Sequence, residues 1–202
     1  MSGRQGYWAN HDYKRRSVEK NFLNFVGWGP LISMANNLDP ITRSLVSTTF
    51  ETGGRATEVL SLKPEQFDIQ KDKDIVMIQR MIVKKRRDKI RDRTFPILLS
   101  DPLTHYMLER VEQTEPRQCL FPYGYDWMYK KIRDIEKPRN MKHGPWWIHR
   151  FRAERATQLV LTNNFGVIEL MRWFGWKRPD MPSFYVGLSP QDLVNKIRKG
   201  EL

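Results

Sequence analysis

The sequence predicts an α+β, mainly helical domain in which helices flank a small antiparallel sheet. Helix punctuation marks both ends of the chain: Asp39-Pro40 and Asp101-Pro102 read as starts, Gly53-Gly54 and Gly175 as stops. Only the stretch from Ile75 to Leu99 carries β-branched and apolar runs suited to paired strands. A chain of 202 residues, 40% hydrophobic and 29% charged, is long enough to bury one good core. Helices, a small sheet, then helices again is the order of an α+β domain.

Residues 1–38 mix basic and aromatic side chains, among them Tyr13, Lys14, Arg15, Arg16, Phe22, Phe25 and Trp28. They read as an N-terminal arm or linker with one short helix, and residues 39–202 as the domain proper. Asp39 serves as N-cap and Pro40 fits the first turn of a helix running through ITRSLVSTTFET to Gly53-Gly54. A second helix opens near Arg55 and ends before Pro64. The polar KDKD turn at 71–74 leads into the strand IVMIQRMIV, then the basic segment KKRRDKIRDR, then the returning strand TFPILL. Asp101-Pro102 begins a helix through HYMLERVEQ. CLFP is a short extended piece, a helix covers 126–136, and the Pro- and Gly-containing stretch 137–145 is a loop. Two further helices follow, about 147–162 closed by Asn163-Asn164 and 167–174 closed by Gly175. A Pro-punctuated segment then carries Tyr185, and LSPQDLVNKIRKG forms a tail helix.

The formal charge of +12 points to a polyanionic partner, with nucleic acid foremost. Cys119 is the sole cysteine, which excludes an internal disulfide and a Cys-rich zinc site and suits a reducing, cytoplasmic setting. The histidines at 11, 105, 143 and 149 show no metal-ligand spacing. No apolar run reaches the ~18–20 residues that span a bilayer, and the first residues lack an apolar signal region.

The candidate site residues suit phosphate chemistry. Arginine grips a phosphate through two parallel hydrogen bonds and keeps its charge at any working pH. Arg55 follows Gly53-Gly54, and Glu58 lies three positions on, on the same helical face. By itself this reads first as an ordinary surface ion pair. His149 and Arg152, spaced i, i+3, turn an imidazole and a guanidinium toward one point, and a buried arginine needs an anion. Trp176 offers one indole N–H to an acceptor, or simply packs at a helix end. Lys84 to Arg93 carries seven basic residues and two acids, a run that reads as a solvated face or a phosphate-backbone contact.

In this order, TGGRATEVLSL, IHRFRAERAT, WFGWKR and PSFYVGLS resemble the motifs of the tyrosine recombinases, the phage integrase and Xer group. The resemblance spans about residues 39–190. It departs from the commonest pattern at Phe151, at Ala153 (often a second histidine) and at Trp176 (commonly histidine). It implies the tyrosine-recombinase catalytic-domain fold and site-specific recombination or integration through a 3′-phosphotyrosine intermediate. Tyr185 would be the nucleophile, nine residues beyond Trp176 as in the family. Arg55 and Arg152 would contact the scissile phosphate, with Glu58 in support. His149 would assist binding and proton transfer, and Trp176 would orient the site. A hairpin lysine would protonate the leaving 5′-oxygen: Lys84 first, then Lys85, then Lys89. Lys85, Arg86, Arg87 and Lys89 would contact DNA.

The same resemblance implies double-stranded DNA as partner, no cofactor, and a tetramer on DNA assembled through the C-terminal tail. It also implies a prokaryotic, viral or plasmid source. Residues 1–38 are too few for the family's DNA-clamping domain, so the chain reads first as a catalytic piece of a longer integrase and second as a minimal member of the family. A type IB topoisomerase-like relaxing enzyme and a non-catalytic DNA-binding protein remain alternatives. Whether Tyr185 serves its own site or a neighbour's is open at this level.

Overall fold

The computed structural model describes residues 25–86, 89–135 and 148–199. Residues 1–24 of the predicted arm, Arg87, the predicted loop 137–145 and the start of the following helix lie outside the described residues.

Helix α1, Trp28–Asn36, buries Leu31, Met34 and Ala35, one stripe at i, i+3, i+4 spacing. Trp28 meets Phe50 edge-on at 5.4 Å, which fastens α1 to helix α2, Pro40–Thr52. At the start of α2, Asp39 Oδ1 accepts the Thr42 N–H at 3.0 Å and Pro40 occupies the first turn, as predicted. From Ser44 to Thr52 every residue of α2 is buried, although many are polar. The hydroxyls of Thr48, Thr49 and Thr52 donate back to the carbonyls of Ser44, Leu45 and Thr48 at 2.7, 2.7 and 2.6 Å. A helix buried on all sides therefore needs no outside partner for these groups.

Gly53 ends α2 in the left-handed region (φ 54), and Gly54 leads into helix α3, Ala56–Leu60. Strands β1 (Phe67–Gln70), β2 (Ile75–Arg86) and β3 (Lys89–Leu98) form an antiparallel sheet in the order β1-β2-β3. Helices α4 (Thr104–Glu112), α5 (Tyr125–Arg133), α6 (Ile148–Thr162) and α7 (Val167–Phe174) follow. A turn at Pro182–Phe184 precedes the tail helix α8, Pro190–Lys199. Helices α4 and α6 pack on α2, and α7 packs on β3.

Two elements differ from the sequence expectation. Strand β1 went unread because FDIQ is too short to show alternation; its pairing with Ile75 to Ile78 defines it. Helix α4 starts at Thr104 rather than at Asp101-Pro102. Asp101 instead accepts the Thr104 N–H through its backbone carbonyl at 3.0 Å and gives its carboxylate to Arg155 at 2.9 Å.

A β-bulge shapes the sheet. Ile78 pairs with Phe95, but the next pair is Met81 with Arg93, so β2 carries one extra residue there; a second shift follows between Ile82 and Lys84. Arg80 takes it up at φ 53, while Gln66 Nε2 donates to the carbonyls of Gln79 and Arg80 at 3.0 and 3.1 Å. The core-facing residues of β2 switch from Val76 and Ile78 to Met81, keeping them opposite the buried Arg93, Phe95 and Ile97 of β3.

Gly53→Ala is expected to destabilise the fold by more than about 1 kcal/mol, because an added Cβ meets a left-handed φ and the Phe174 ring. Chemical denaturation of the two proteins measures it.

Candidate active site

Arg55 stands at the N-cap of α3, and Glu58 folds back over it. Glu58 Oε2 accepts the Arg55 backbone N–H at 3.1 Å and Oε1 accepts Arg55 Nη1 at 2.6 Å. The Arg55 side chain stays 35% exposed while that of Glu58 is 0% exposed, so the arginine reaches solvent and its acid does not. Two more guanidiniums converge on Glu58 Oε2: Arg93 Nη2 at 3.3 Å and Arg152 Nη1 at 3.7 Å. A carboxylate this deep is tolerable because cations replace its lost water.

Arg152 projects from α6, one turn after His149, and is wholly buried. Its Nη1 donates to the Gly53 carbonyl at 2.5 Å and its Nη2 to the Phe174 carbonyl at 3.0 Å, so the ends of α2 and α7 hold it. Its Cζ lies 4.7, 5.4 and 5.6 Å from the ring centres of Phe174, Trp176 and Tyr185. Those rings form one pile, with Phe174 on Trp176 at 4.5 Å and Trp176 on Tyr185 at 5.0 Å. Burial, then the charges of Arg55 and Arg93, pulls Arg152 down to about 9, which leaves it cationic at neutral pH.

His149 has an exposed face. Desolvation of its inner side, then repulsion from Arg152 and Arg55, holds the imidazole below its usual value and so neutral at pH 7. Trp176 is buried, and its indole N–H has no hydrogen-bond partner among the described residues. Tyr185 ends the Pro182–Phe184 turn and donates its N–H to the Pro182 carbonyl at 2.9 Å. Two residues on, the Gly187 N–H donates to Thr157 Oγ1 of α6 at 2.9 Å. That tether keeps Tyr185 with its own Arg152.

The structure thus gathers Arg55, Glu58, His149, Arg152, Trp176 and Tyr185 in one place. Lys84 and Lys85 of β2 pair with Arg91 and Ile90, and Arg86 with Lys89. Arg93, which the basic run from Lys84 to Arg93 places on a solvated face, is instead 5% exposed inside the site. Its alternation with Phe95 and Ile97 was the available signal.

Behind the site lies a second buried ionic group. Arg155 Nη2 reaches Glu51 Oε2 at 3.1 Å and Asp101 Oδ2 at 2.9 Å, and its Nη1 donates to Gln158 Oε1 at 2.8 Å. Complete burial pushes Glu51 up to about 8 against the pull of Arg155, and the Asp101 carboxylate adds to the rise. Glu51 is therefore protonated at neutral pH.

No protein-family model matches the sequence, and no curated protein does. Solved structures do match. The XerH site-specific recombinase in a post-cleavage complex with palindromic difH superposes at a TM-score of 0.63 and 17% identity, covering 85% of this chain and 50% of that one. The Tn1549 transposon integrase in complex with circular-intermediate DNA gives 0.55 at 11% identity, over 87% and 64% of the two chains. The catalytic domain of bacteriophage HP1 integrase gives 0.50 at 20% identity, over 89% and 96%. The chain has the tyrosine-recombinase catalytic-domain fold, and it spans about half the length of the XerH chain it matches. No helix among the described residues is long and apolar enough to cross a membrane.

Folded Glu51 keeps its proton up to about 8, whereas an unfolded Glu releases it near 4.5. The folded state binds the extra proton in that window, so this group's contribution to stability falls as pH rises through it. Glu51→Gln is expected to gain melting temperature relative to the unsubstituted protein steadily from about pH 5 to pH 8. Parallel thermal melts across that range read the difference.

Proposed function

We propose that the chain is the catalytic part of a site-specific DNA recombinase or integrase acting through a 3′-phosphotyrosine intermediate. One observation carries the reading: the Tyr185 ring lies over the Arg152 guanidinium, in a cage shared with Arg55, Glu58 and His149. The phenol oxygen of Tyr185 attacks phosphorus, and the bond from phosphorus to the 5′-oxygen breaks. Arg55 and Arg152 stabilise the charge that builds on the non-bridging oxygens. Neutral His149 takes up the phenolic proton, Lys84 supplies one to the departing 5′-oxygen, and Trp176 orients the phosphate with its unpartnered N–H. The phosphotyrosine conserves the bond energy, so rejoining runs the same steps backwards.

Arg152 is fully covered in this conformation, so DNA must lift the Tyr185 ring to bring a phosphate onto both arginines. The net charge of +12 and the basic β2–β3 hairpin support double-stranded DNA as the partner. The solved structures of XerH and the Tn1549 integrase bound to DNA support the same partner. Assembly on DNA runs through α8, whose Leu193, Val194 and Ile197 are exposed. Residues 39–202 form the catalytic unit, with α8 as its tail.

The test uses a pool of nicked duplexes with randomised arms, from which protein–DNA adducts that survive denaturation are isolated. The unsubstituted chain should yield adducts. Tyr185→Phe should retain DNA affinity and give none; adducts from that variant would remove Tyr185 as nucleophile. Arg55→Ala should slow adduct formation by on the order of 10²–10³. Supercoil relaxation without exchange between two marked duplexes would favour a topoisomerase instead.

At neutral pH His149 stays neutral and serves as the base; at lower pH a bound phosphodiester favours the imidazolium that burial and the charges of Arg152 and Arg55 disfavour in the free protein. DNA affinity is therefore expected to increase as pH falls through the lowered His149 transition, and His149→Gln should remove that increment in anisotropy titrations.

A further inference from the structure

Arg93 is a buried cation that none of the roles above uses. Its Nη2 donates to the Thr52 carbonyl at 2.9 Å and lies 3.3 Å from Glu58 Oε2, while its Nη1 donates to the Trp173 carbonyl. The guanidinium packs over the Phe95 ring at 4.4 Å and against Met81 Sδ at 3.4 Å. One side chain therefore ties together four parts of the site: the end of α2, the acid of α3, the base of the β2–β3 hairpin, and the end of α7 that leads to Trp176.

With 5% exposure and both terminal nitrogens held by protein groups, Arg93 does not touch a substrate. Its effect passes through Glu58. That carboxylate has two oxygens and three cationic neighbours. Oε1 is committed to Arg55 at 2.6 Å. Arg93 is nearer to Oε2 than Arg152 is, at 3.3 against 3.7 Å. If Arg93 is removed, the buried Oε2 keeps the Arg55 backbone N–H but loses its nearer cation, and the only other guanidinium beside it among the described residues is Arg152. A tight Glu58–Arg152 pair would neutralise the cation that a phosphate needs. With Arg93 present, three guanidiniums and one carboxylate leave the cage two positive charges. That excess suits a phosphodiester, whose single negative charge doubles as a nucleophile adds.

We propose that Arg93 is a positioning residue: it occupies Glu58 so that Arg55 is aimed outward and Arg152 stays available to an anion. This rests on the reading of the cage as a phosphate site, but an oxyanion probe tests it without DNA cleavage. The variants are Arg93→Met, which keeps the buried volume, Arg93→Lys, which restores one donor, and the double variant Arg93→Met/Glu58→Gln, which removes the stranded acid and guards against misfolding.

The first measurement is the rise in melting temperature caused by millimolar sodium tungstate, a tetrahedral dianion. The unsubstituted chain should be stabilised. Arg93→Met should lose most of that rise, Arg93→Lys and the double variant should recover part of it, and Arg178→Met, a change at an exposed arginine, should keep it all. No rise in the unsubstituted chain, or an undiminished rise in Arg93→Met, overturns the proposal.

The second measurement is the adduct rate on a duplex captured from the pool, carrying either a phosphodiester or an uncharged methylphosphonate at the cleaved position. Arg93→Met should slow the phosphodiester by on the order of 10–100-fold. It should slow the methylphosphonate by only a few fold, because that substrate asks less of the arginines. Equal slowing of both substrates marks a merely structural role and overturns the proposal. A chain that shows the tungstate response with its Arg93 dependence but forms no adduct would count against the recombinase reading alone.

Discussion

The carboxylate of Glu58 is the interaction on which the rest of the site depends. A wholly buried acid is tolerable only if cations surround it, and here the three cations come from three different elements. Arg55 comes from the same short helix, Arg93 from the far strand of the hairpin, and Arg152 from the long helix α6. The acid thereby forces a turn, a strand and a helix to meet at one point. The backbone carbonyls of Thr52, Gly53, Trp173 and Phe174 complete the arrangement by accepting from Arg93 and Arg152. Both helix ends would otherwise carry unmet carbonyls, and the terminal nitrogens of both arginines supply the donors.

A second layer keeps that point from shifting. Helix α2 is buried along its C-terminal half, and the hydroxyls of Thr48, Thr49 and Thr52 are satisfied within the helix, so its end is a rigid platform. Arg155 lies one turn beyond Arg152 and pins α6 to the same platform through Glu51 and Asp101. Because Glu51 holds its proton near neutral pH, this inner group carries no excess negative charge that would compete for Arg152. The charges around Glu58 can therefore be positive in sum without being loose.

Much of this was legible in the sequence, and the remainder was hidden for identifiable reasons. Asp39, Pro40, Gly53 and Gly175 announce helix ends through local chemistry, and the helices begin and stop there. Arg55, Arg152 and Tyr185 stand out because they fall within motifs that resemble a known family. Strand β1 was invisible because four residues carry too little pattern, and a neighbouring strand defines it. Arg93 was misread because it sits among arginines and lysines, where composition suggests solvent. Only its two-residue spacing from Phe95 and Ile97 separates it from them. The proton on Glu51 follows from burial among residues distant in the chain, which no local window reveals.

The bulge at Arg80 has a consequence for how such a hairpin can change over generations. All of the pairing beyond it, from Met81 and Arg93 to Arg86 and Lys89, lies on its distal side. Residues gained or lost as matched pairs at the tip lengthen or shorten a finger and leave the cage untouched. A single residue lost at Gln79 or Arg80 would do the opposite. It would turn Met81 outward, rotate the distal strand by one face, and take Arg93's neighbours from the core to solvent without altering any functional side chain. The finger is free to vary in length, but its root tolerates no change in count.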